Sequence, residues 1–203
     1  MALSKRLEAI VSLVPPSDTV ADIGTDHALV PAALAERGIC RRVIACDLRE
    51  GPLKGAARLV SERGLSRRIR LRRGDGLEPL AAGEAEGILI SGMGGALMRR
   101  ILEEGEYKAK AARFLILSPQ SELPMFRRFL DGAGYRILRE RLVEDEGKFY
   151  FILLAEVGKG TLTDEEAEFG KNIEKEDFPD YKRYLEKELE KYRKILSGLA
   201  KTD

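Results

Sequence analysis

Val20-Ala21, Val43 to Cys46, Ile69 to Leu71, Gly87 to Ser91 and Phe114 to Leu117 are short apolar runs separated by stretches of helical character. This alternation limits the possible folds more than any other feature of the chain. Strand, helix and strand in succession close into a parallel sheet covered by helices. The first four runs open into Asp22-Ile23-Gly24-Thr25-Asp26-His27, Asp47, Gly74-Asp75-Gly76 and Gly92-Met93-Gly94-Gly95. In a parallel sheet such stretches stand at the C-terminal ends of the strands, where ligands bind at the point of reversed strand order. The functional signal is the convergence of these corners rather than any one of them.

The ends of the chain complete the outline. Leu3, Leu7, Ile10, Val11 and Val14 recur at helical spacing and Pro15-Pro16 ends that helix, which covers a sheet face or an interface. After Leu130, Gly134 turns the chain into Tyr135 to Leu138, and Phe149 to Val157 is a long apolar strand. Glu144 to Lys148 joins them with no room for a helix, which predicts an antiparallel hairpin at the sheet edge. The expected fold is α/β, a Rossmann-like sheet with an antiparallel C-terminal edge hairpin and a small C-terminal helical, coiled-coil-like domain. Composition shifts after Gly158, dividing the chain into 1–158 and 159–203. In the second part Thr163 and Glu166 form a capping box. Tyr184, Leu185, Leu189, Tyr192, Ile195, Leu196 and Leu199 mark the apolar stripe of a long helix. Two helices joined around Phe178-Pro179 are expected to form a hairpin that positions RNA, mediates a dimer or braces the sheet.

Each corner has a chemistry and a plainer alternative. Gly24, between a strand and the helix Ala28 to Arg37, lets a ligand approach backbone N–H groups, although one glycine in such a turn also serves packing. Asp47 ends the second strand at roughly the 20-residue offset after the first corner at which a carboxylate takes two ribose hydroxyls; otherwise it caps the next helix. Asp75, between glycines, can accept from an adenine amine or simply form a turn. Three glycines in Gly92 to Gly95 exclude side chains where the backbone passes a cofactor or a flat base. The run Arg67-Arg68-Ile69-Arg70-Leu71-Arg72-Arg73 is either an RNA-phosphate patch or the solvated charge of an edge strand. In a strand its arginines alternate between faces.

Composition excludes several classes. In 203 residues, 44% hydrophobic and 34% charged with a net charge of +1, any polyanion site is a local patch. Cys40 and Cys46 are too few for a disulfide scaffold and read as core thiols. No apolar run reaches 18 residues and the N-terminus is no signal peptide, so a cytoplasmic protein without a membrane partner is expected. No metal is expected, and the oligomeric state is not readable.

Taken together, Asp22-Ile23-Gly24-Thr25-Asp26-His27-Ala28, Glu50-Gly51-Pro52, Gly74-Asp75-Gly76-Leu77, Ser91-Gly92-Met93-Gly94-Gly95, Pro119-Gln120 and Glu144-Asp145-Glu146-Gly147-Lys148-Phe149-Tyr150 resemble the bacterial tRNA (adenine-22-N1)-methyltransferase family. The resemblance spans nearly the whole chain. It implies a class I methyltransferase core that uses S-adenosylmethionine (SAM) on a tRNA substrate. It further implies that Asp22, Gly24, Thr25, Asp26 and His27 shape the methionine end of the cofactor site. Asp47 and Leu48 would take the ribose, and Asp75 and Gly76 the adenine. Gly92, Met93 and Gly94 would line the groove where base and methyl meet, with Asp26 and His27 making polar contacts near the reaction. The alternatives are a SAM enzyme acting on another RNA site, or a non-catalytic nucleotide-binding module whose helical tail recruits a partner.

Overall fold

The computed structural model describes residues 3–199. Helix α1 (Lys5–Leu13) is capped by Ser4, whose hydroxyl accepts the Leu7 N–H, and leads into strand β1 (Ser17–Ile23). There follow α2 (Leu29–Glu36), β2 (Cys40–Asp47), α3 (Glu50–Glu62), β3 (Ile69–Arg73), β4 (Gly87–Met93), α4 (Gly95–Glu104), α5 (Glu106–Ala111), β5 (Phe114–Pro119) and α6 (Leu123–Gly132). The strands β6 (Tyr135–Asp145) and β7 (Lys148–Val157) close the sheet, and α7 (Asp164–Phe169) and α8 (Phe178–Leu199) end the chain.

The seven strands run in the order β3-β2-β1-β4-β5-β7-β6. The first five are parallel, and β7 is antiparallel to both β5 and β6. Strand order therefore reverses between β1 and β4. The Rossmann-like sheet with an antiparallel edge is as expected. The period of two sorts the side chains onto two faces. Val20, Val43, Leu89, Ile116 and Ile152 pack with α1, α2 and α3. Ala21, Ile44, Ile88, Ile90 and Leu153 pack with α4 and α6. The β6–β7 hairpin turns at Glu146-Gly147, both with positive φ, the two-residue turn whose twist suits a hairpin.

Two elements differ from expectation. Helix α5 has no clear signature in the sequence, because Glu106 to Ala111 is short and has a single buried residue, Ala109. Strand β6 runs to Asp145 rather than ending at Leu138. The charges of Arg139, Glu140 and Arg141 hide it, since two of them enter closed ion pairs. Arg127 and Glu140, both fully buried, meet at 2.6 Å, and Arg141 meets Asp177 at 2.6 Å.

Those pairs tie the last part of the chain to the sheet. Arg127 donates to the Ala167 carbonyl at 2.9 Å, the Lys171 N–H donates to Glu140 at 2.8 Å, and the Leu142 N–H donates to Asp177 at 2.9 Å. The capping box of Thr163 and Glu166 is present. The composition shift after Gly158 thus marks the end of the sheet but not of the packed core. The two helices are joined by residues 170–177, and Phe178-Pro179 forms the first turn of α8 rather than the joint. Helix α7 packs on α6, and α8 lies against β6 through its first turns. Tyr184 meets the rings of Phe149 and Phe151 edge-on at 5.7 and 5.1 Å. Beyond them α8 has no buried residue, and Leu189, Ile195, Leu196 and Leu199 of the stripe are exposed.

Candidate active site

A cleft of about 530 Å³ opens at the C-terminal strand ends where β1 and β4 diverge. Its floor is the corner after β1. The N–H groups of Gly24 and Thr25 both donate to the Cys46 carbonyl, at 2.8 and 2.9 Å, which fastens the corner to β2. Gly24 has φ +74°, and a Cβ there would collide with the methyl of Met93. The backbone conformation is what favours glycine here, since the tip of the flexible Met93 side chain could give way. Asp26 and Ala28 also have positive φ, a strained arrangement for residues with side chains that clusters at functional sites.

Three carboxylates stand at successive strand ends. Asp22, 4% exposed, accepts the Thr25 hydroxyl at 2.7 Å. Burial pushes its pKa up to about 7, the Thr25 bond opposes this, and the negative charge of Asp47 adds to it. Asp47, 5% exposed, accepts the Arg49 N–H at 2.9 Å and the Asp26 N–H at 3.3 Å. A carboxylate has about four lone-pair directions, so acceptor capacity remains for a pair of hydroxyls. It does not cap α3, whose first turn has no side-chain cap. Asp75 is more open, with its carboxylate 3.4 Å from Arg100. Cys46, beneath the floor, is a buried thiol whose pKa burial drives up to about 12, so it is inert.

The cleft gathers residues from all four corners. The β1 corner contributes Asp22, Gly24, Thr25, Asp26 and His27, the end of β2 Asp47 and Leu48, the end of β3 Asp75 and Gly76, and the end of β4 Gly92 and Met93. His27 and Asp26 sit on the rim, 3.8 Å apart and well exposed. Gly94 does not line the cleft. Strand β4 runs two residues past Ser91 through an irregular step, which carries Gly94 to the start of α4. A Cβ on Gly94 would face the Ser121 hydroxyl at 2.9 Å instead. The basic run of β3 is largely absorbed locally: Arg72 pairs with Glu84, while Arg68 and Arg73 donate to the carbonyls of Cys40 and Leu48.

Sequence reasoning missed Arg6 as a cleft residue, and Gln120 entered only as part of a motif; both line the cleft. A single arginine in an amphipathic helix carries no signal of its own. Gln120 is placed by its N–H, which donates to the Met93 carbonyl at 2.9 Å. Among the described residues no group of three or more His, Cys, Asp or Glu could hold a metal ion, and no helix is long and apolar enough to cross a membrane.

A methyltransferase-domain family model matches residues 3–153. Over 158 residues the chain is 39% identical to the Bacillus subtilis tRNA (adenine(22)-N(1))-methyltransferase, an alignment covering 78% of this chain and 66% of that protein. The chain thus matches just under two thirds of the length of that curated relative. A Streptococcus pneumoniae protein assigned as a tRNA (m1A22) methyltransferase, solved in complex with S-adenosyl-L-methionine, superposes with a TM-score of 0.89. It is 37% identical, over 96% of this chain and 91% of that one. M. capricolum TrmK, solved with S-adenosyl-homocysteine, superposes with a TM-score of 0.83 at 27% identity, over 97% and 88%.

Proposed function

Because the chain belongs to the bacterial tRNA (adenine-22-N1)-methyltransferase family, we propose that it transfers the methyl group of SAM to N1 of adenine 22 in tRNA. The observation that carries this reading is the convergence of Asp22, Gly24, Asp47, Asp75 and Gly92 on one cleft at the strand-order reversal.

The residues fit the cofactor. Asp47 would take the ribose hydroxyls, Asp75 the adenine edge, and Asp22 and Asp26 the cationic amine of the methionine end. Gly24 leaves the floor free of a side chain. The cofactor supplies a methyl group on a sulfonium, already activated for displacement. The adenine N1 lone pair is nucleophilic at neutral pH, so no side chain has to remove a proton. N1 forms the new bond to carbon as the bond to sulfur breaks, and the positive charge passes to the adenine ring. What the chain contributes is alignment of the two partners and exclusion of water. Gly92, which has no side chain at the end of β4, would let the flat base approach from that side. The base has to leave its stack in the tRNA to reach the cleft.

We assign the tail beyond Gly158 to substrate positioning, with the exposed second half of α8 as the part that reaches tRNA. The cytoplasm is where that substrate is met. The reading is tested by incubating unmodified tRNA with the protein and SAM and analysing the nucleosides by mass spectrometry. 1-Methyladenosine confined to position 22 is expected. Methylation elsewhere would move the enzyme to another RNA site, and no methylation would leave a nucleotide-binding module.

A further inference from the structure

The cleft is rich in carboxylates: Asp22, Asp26, Asp47 and Asp75 all line it. Such walls suit an amine and hydroxyl groups but repel a carboxylate. The methionine end of SAM carries both an ammonium and a carboxylate, so a SAM site here needs a cation that is not already neutralised. Four basic side chains line the cleft. Arg49 stands 3.8 Å from Asp47, Arg100 3.4 Å from Asp75, and His27 3.8 Å from Asp26. Arg6 is different. Asp145 feels its charge as well as its backbone N–H, but among the described residues no carboxylate forms a close ion pair with its guanidinium, and its Nη1 is buried without a hydrogen-bond partner.

The position of Arg6 is well determined by its surroundings. Its backbone N–H donates to the Asp145 carboxylate at 3.1 Å, and its guanidinium lies 5.2 Å from the centre of the Tyr150 ring. Both partners belong to the β6–β7 hairpin, so α1 is docked where that hairpin passes the ends of β4 and β5. Nη1 comes within 3.8 Å of the place a Cβ on Gly92 would take. Arg6 thus lines the cleft with Nη1 beside the Gly92 turn. A buried donor with no acceptor is costly, and a ligand bound in the cleft is one way to supply the acceptor.

Resting on the SAM reading of the cleft, we propose that Arg6 binds the carboxylate of the cofactor's methionine moiety. This makes α1 a wall of the cofactor site rather than a cover for the sheet alone. The orphaned N–H is buried beside the Gly92 turn, in a cleft whose four aspartates would repel an RNA phosphate. A small zwitterion satisfies both the acids and the arginine at once.

Calorimetry on the full chain tests this with ligands that do or do not carry the amino-acid part. Arg6→Met, which keeps an apolar stem near Tyr150, should weaken S-adenosylhomocysteine and SAM by about ten- to a hundredfold, the range for a lost charge-assisted hydrogen bond. Binding of 5′-methylthioadenosine, which has no carboxylate, should stay within about twofold, and Arg6→Lys should recover part of the loss for the first two ligands. An equal loss for all three ligands would mean that Arg6 only places α1, and would overturn the assignment. Unchanged SAM affinity with a raised KM for tRNA would overturn it in favour of an RNA phosphate. If Arg6→Met melts early, the Arg6→Lys comparison across the three ligands decides by the same criterion. A wild-type chain that binds 5′-methylthioadenosine as tightly as S-adenosylhomocysteine would also refute the carboxylate contact while leaving the cofactor site intact. Wild-type protein that binds none of them would instead remove the SAM reading itself.

Discussion

Asp22 and Glu140 are both buried carboxylates on the same sheet, and they are treated in opposite ways. Glu140 accepts from Arg127 through Nε and Nη2 and from the Lys171 N–H, while Arg127 donates onward to Ala167 and lies 4.7 Å from the Phe151 ring centre. Nothing in that arrangement waits for a ligand. Asp22 has a single side-chain partner, the Thr25 hydroxyl, and opens on the cleft beside Asp47. A closed buried charge is frame, and a half-satisfied one is a site. Burial holds both carboxyls above their ordinary range, but at Glu140 the guanidinium opposes it, whereas at Asp22 only a hydroxyl does.

The sharpest way to break this comparison is to open the closed side. Glu140→Ala leaves Arg127 buried and uncompensated, which should cost about 3–5 kcal/mol of stability. Urea denaturation would show the midpoint falling sharply, while cofactor affinity of the folded protein stays near wild type. A loss below about 1 kcal/mol would mean that water reaches Arg127, and the contrast with Asp22 would collapse. Deleting everything after Gly158 should be at least as damaging, because Ala167, Lys171 and Asp177 all leave with it.

The open side is next in size. The folded pKa of Asp22, about 7, lies above its unfolded value of 3.8. The folded state therefore holds a proton that the unfolded state has already released, and the associated stability is present below pH 4 and lost as pH rises to 7. The loss is at most about 4 kcal/mol. Asp22→Asn, which cannot ionise, should raise the melting temperature of the ligand-free protein at pH 8 relative to wild type and do so much less at pH 4. An equal effect at both pH values would show that Asp22 does not titrate in this window. Asp47→Ala should then act on the ligand beyond its effect on the fold. We expect cofactor binding by the folded protein weaker by about 1.5–3 kcal/mol by calorimetry, with some loss of melting temperature because the Arg49 and Asp26 N–H groups lose their acceptor. Unchanged affinity would take Asp47 out of the site.

The same contrast explains what could be read in the chain beforehand. The parallel strands were legible because Val43 to Cys46 and Phe114 to Leu117 are buried on both faces and read as continuous apolar runs. The cleft was legible because glycines and aspartates mark the strand ends where φ turns positive and polar groups converge. The closed side was not. Glu140 and Arg127 look like surface residues in a sequence, since charge is normally exposed, and only their pairing across thirteen residues makes them core. Arg6 was hidden for a related reason: its helix reads correctly, but which way an arginine on that helix points depends on the hairpin formed by Asp145 and Tyr150 far along the chain. Gly94 stands outside the cleft because β4 extends two residues past Ser91, and so small a boundary shift is not legible in a run of glycines.

The smallest effect on stability is expected at the end of α8, and it tests whether every packed charge belongs to the frame. From Lys187 onward the helix buries nothing. Its surface pairs, such as Lys191 with Glu188 and Lys194 with Glu190, are exposed and add little. The edge-on contacts of Tyr184 with Phe149 and Phe151 lie before that point. Two contacts do cross it, the Tyr192 hydroxyl donating to Glu168 at 3.1 Å on an exposed surface and the Lys187 ammonium 5.5 Å from the centre of the Phe149 ring. A chain ending at Glu186 should therefore lose no more than about 1 kcal/mol in urea denaturation, and should bind cofactor as the full chain does. Its exposed Leu189, Ile195, Leu196 and Leu199 are a surface without a role in the fold, so their removal should raise the KM for tRNA while leaving cofactor affinity alone. A large loss of stability would show that this half of α8 belongs with Glu140 and Arg127 after all. Full tRNA activity in the shortened chain would assign substrate positioning to the rim of the cleft instead.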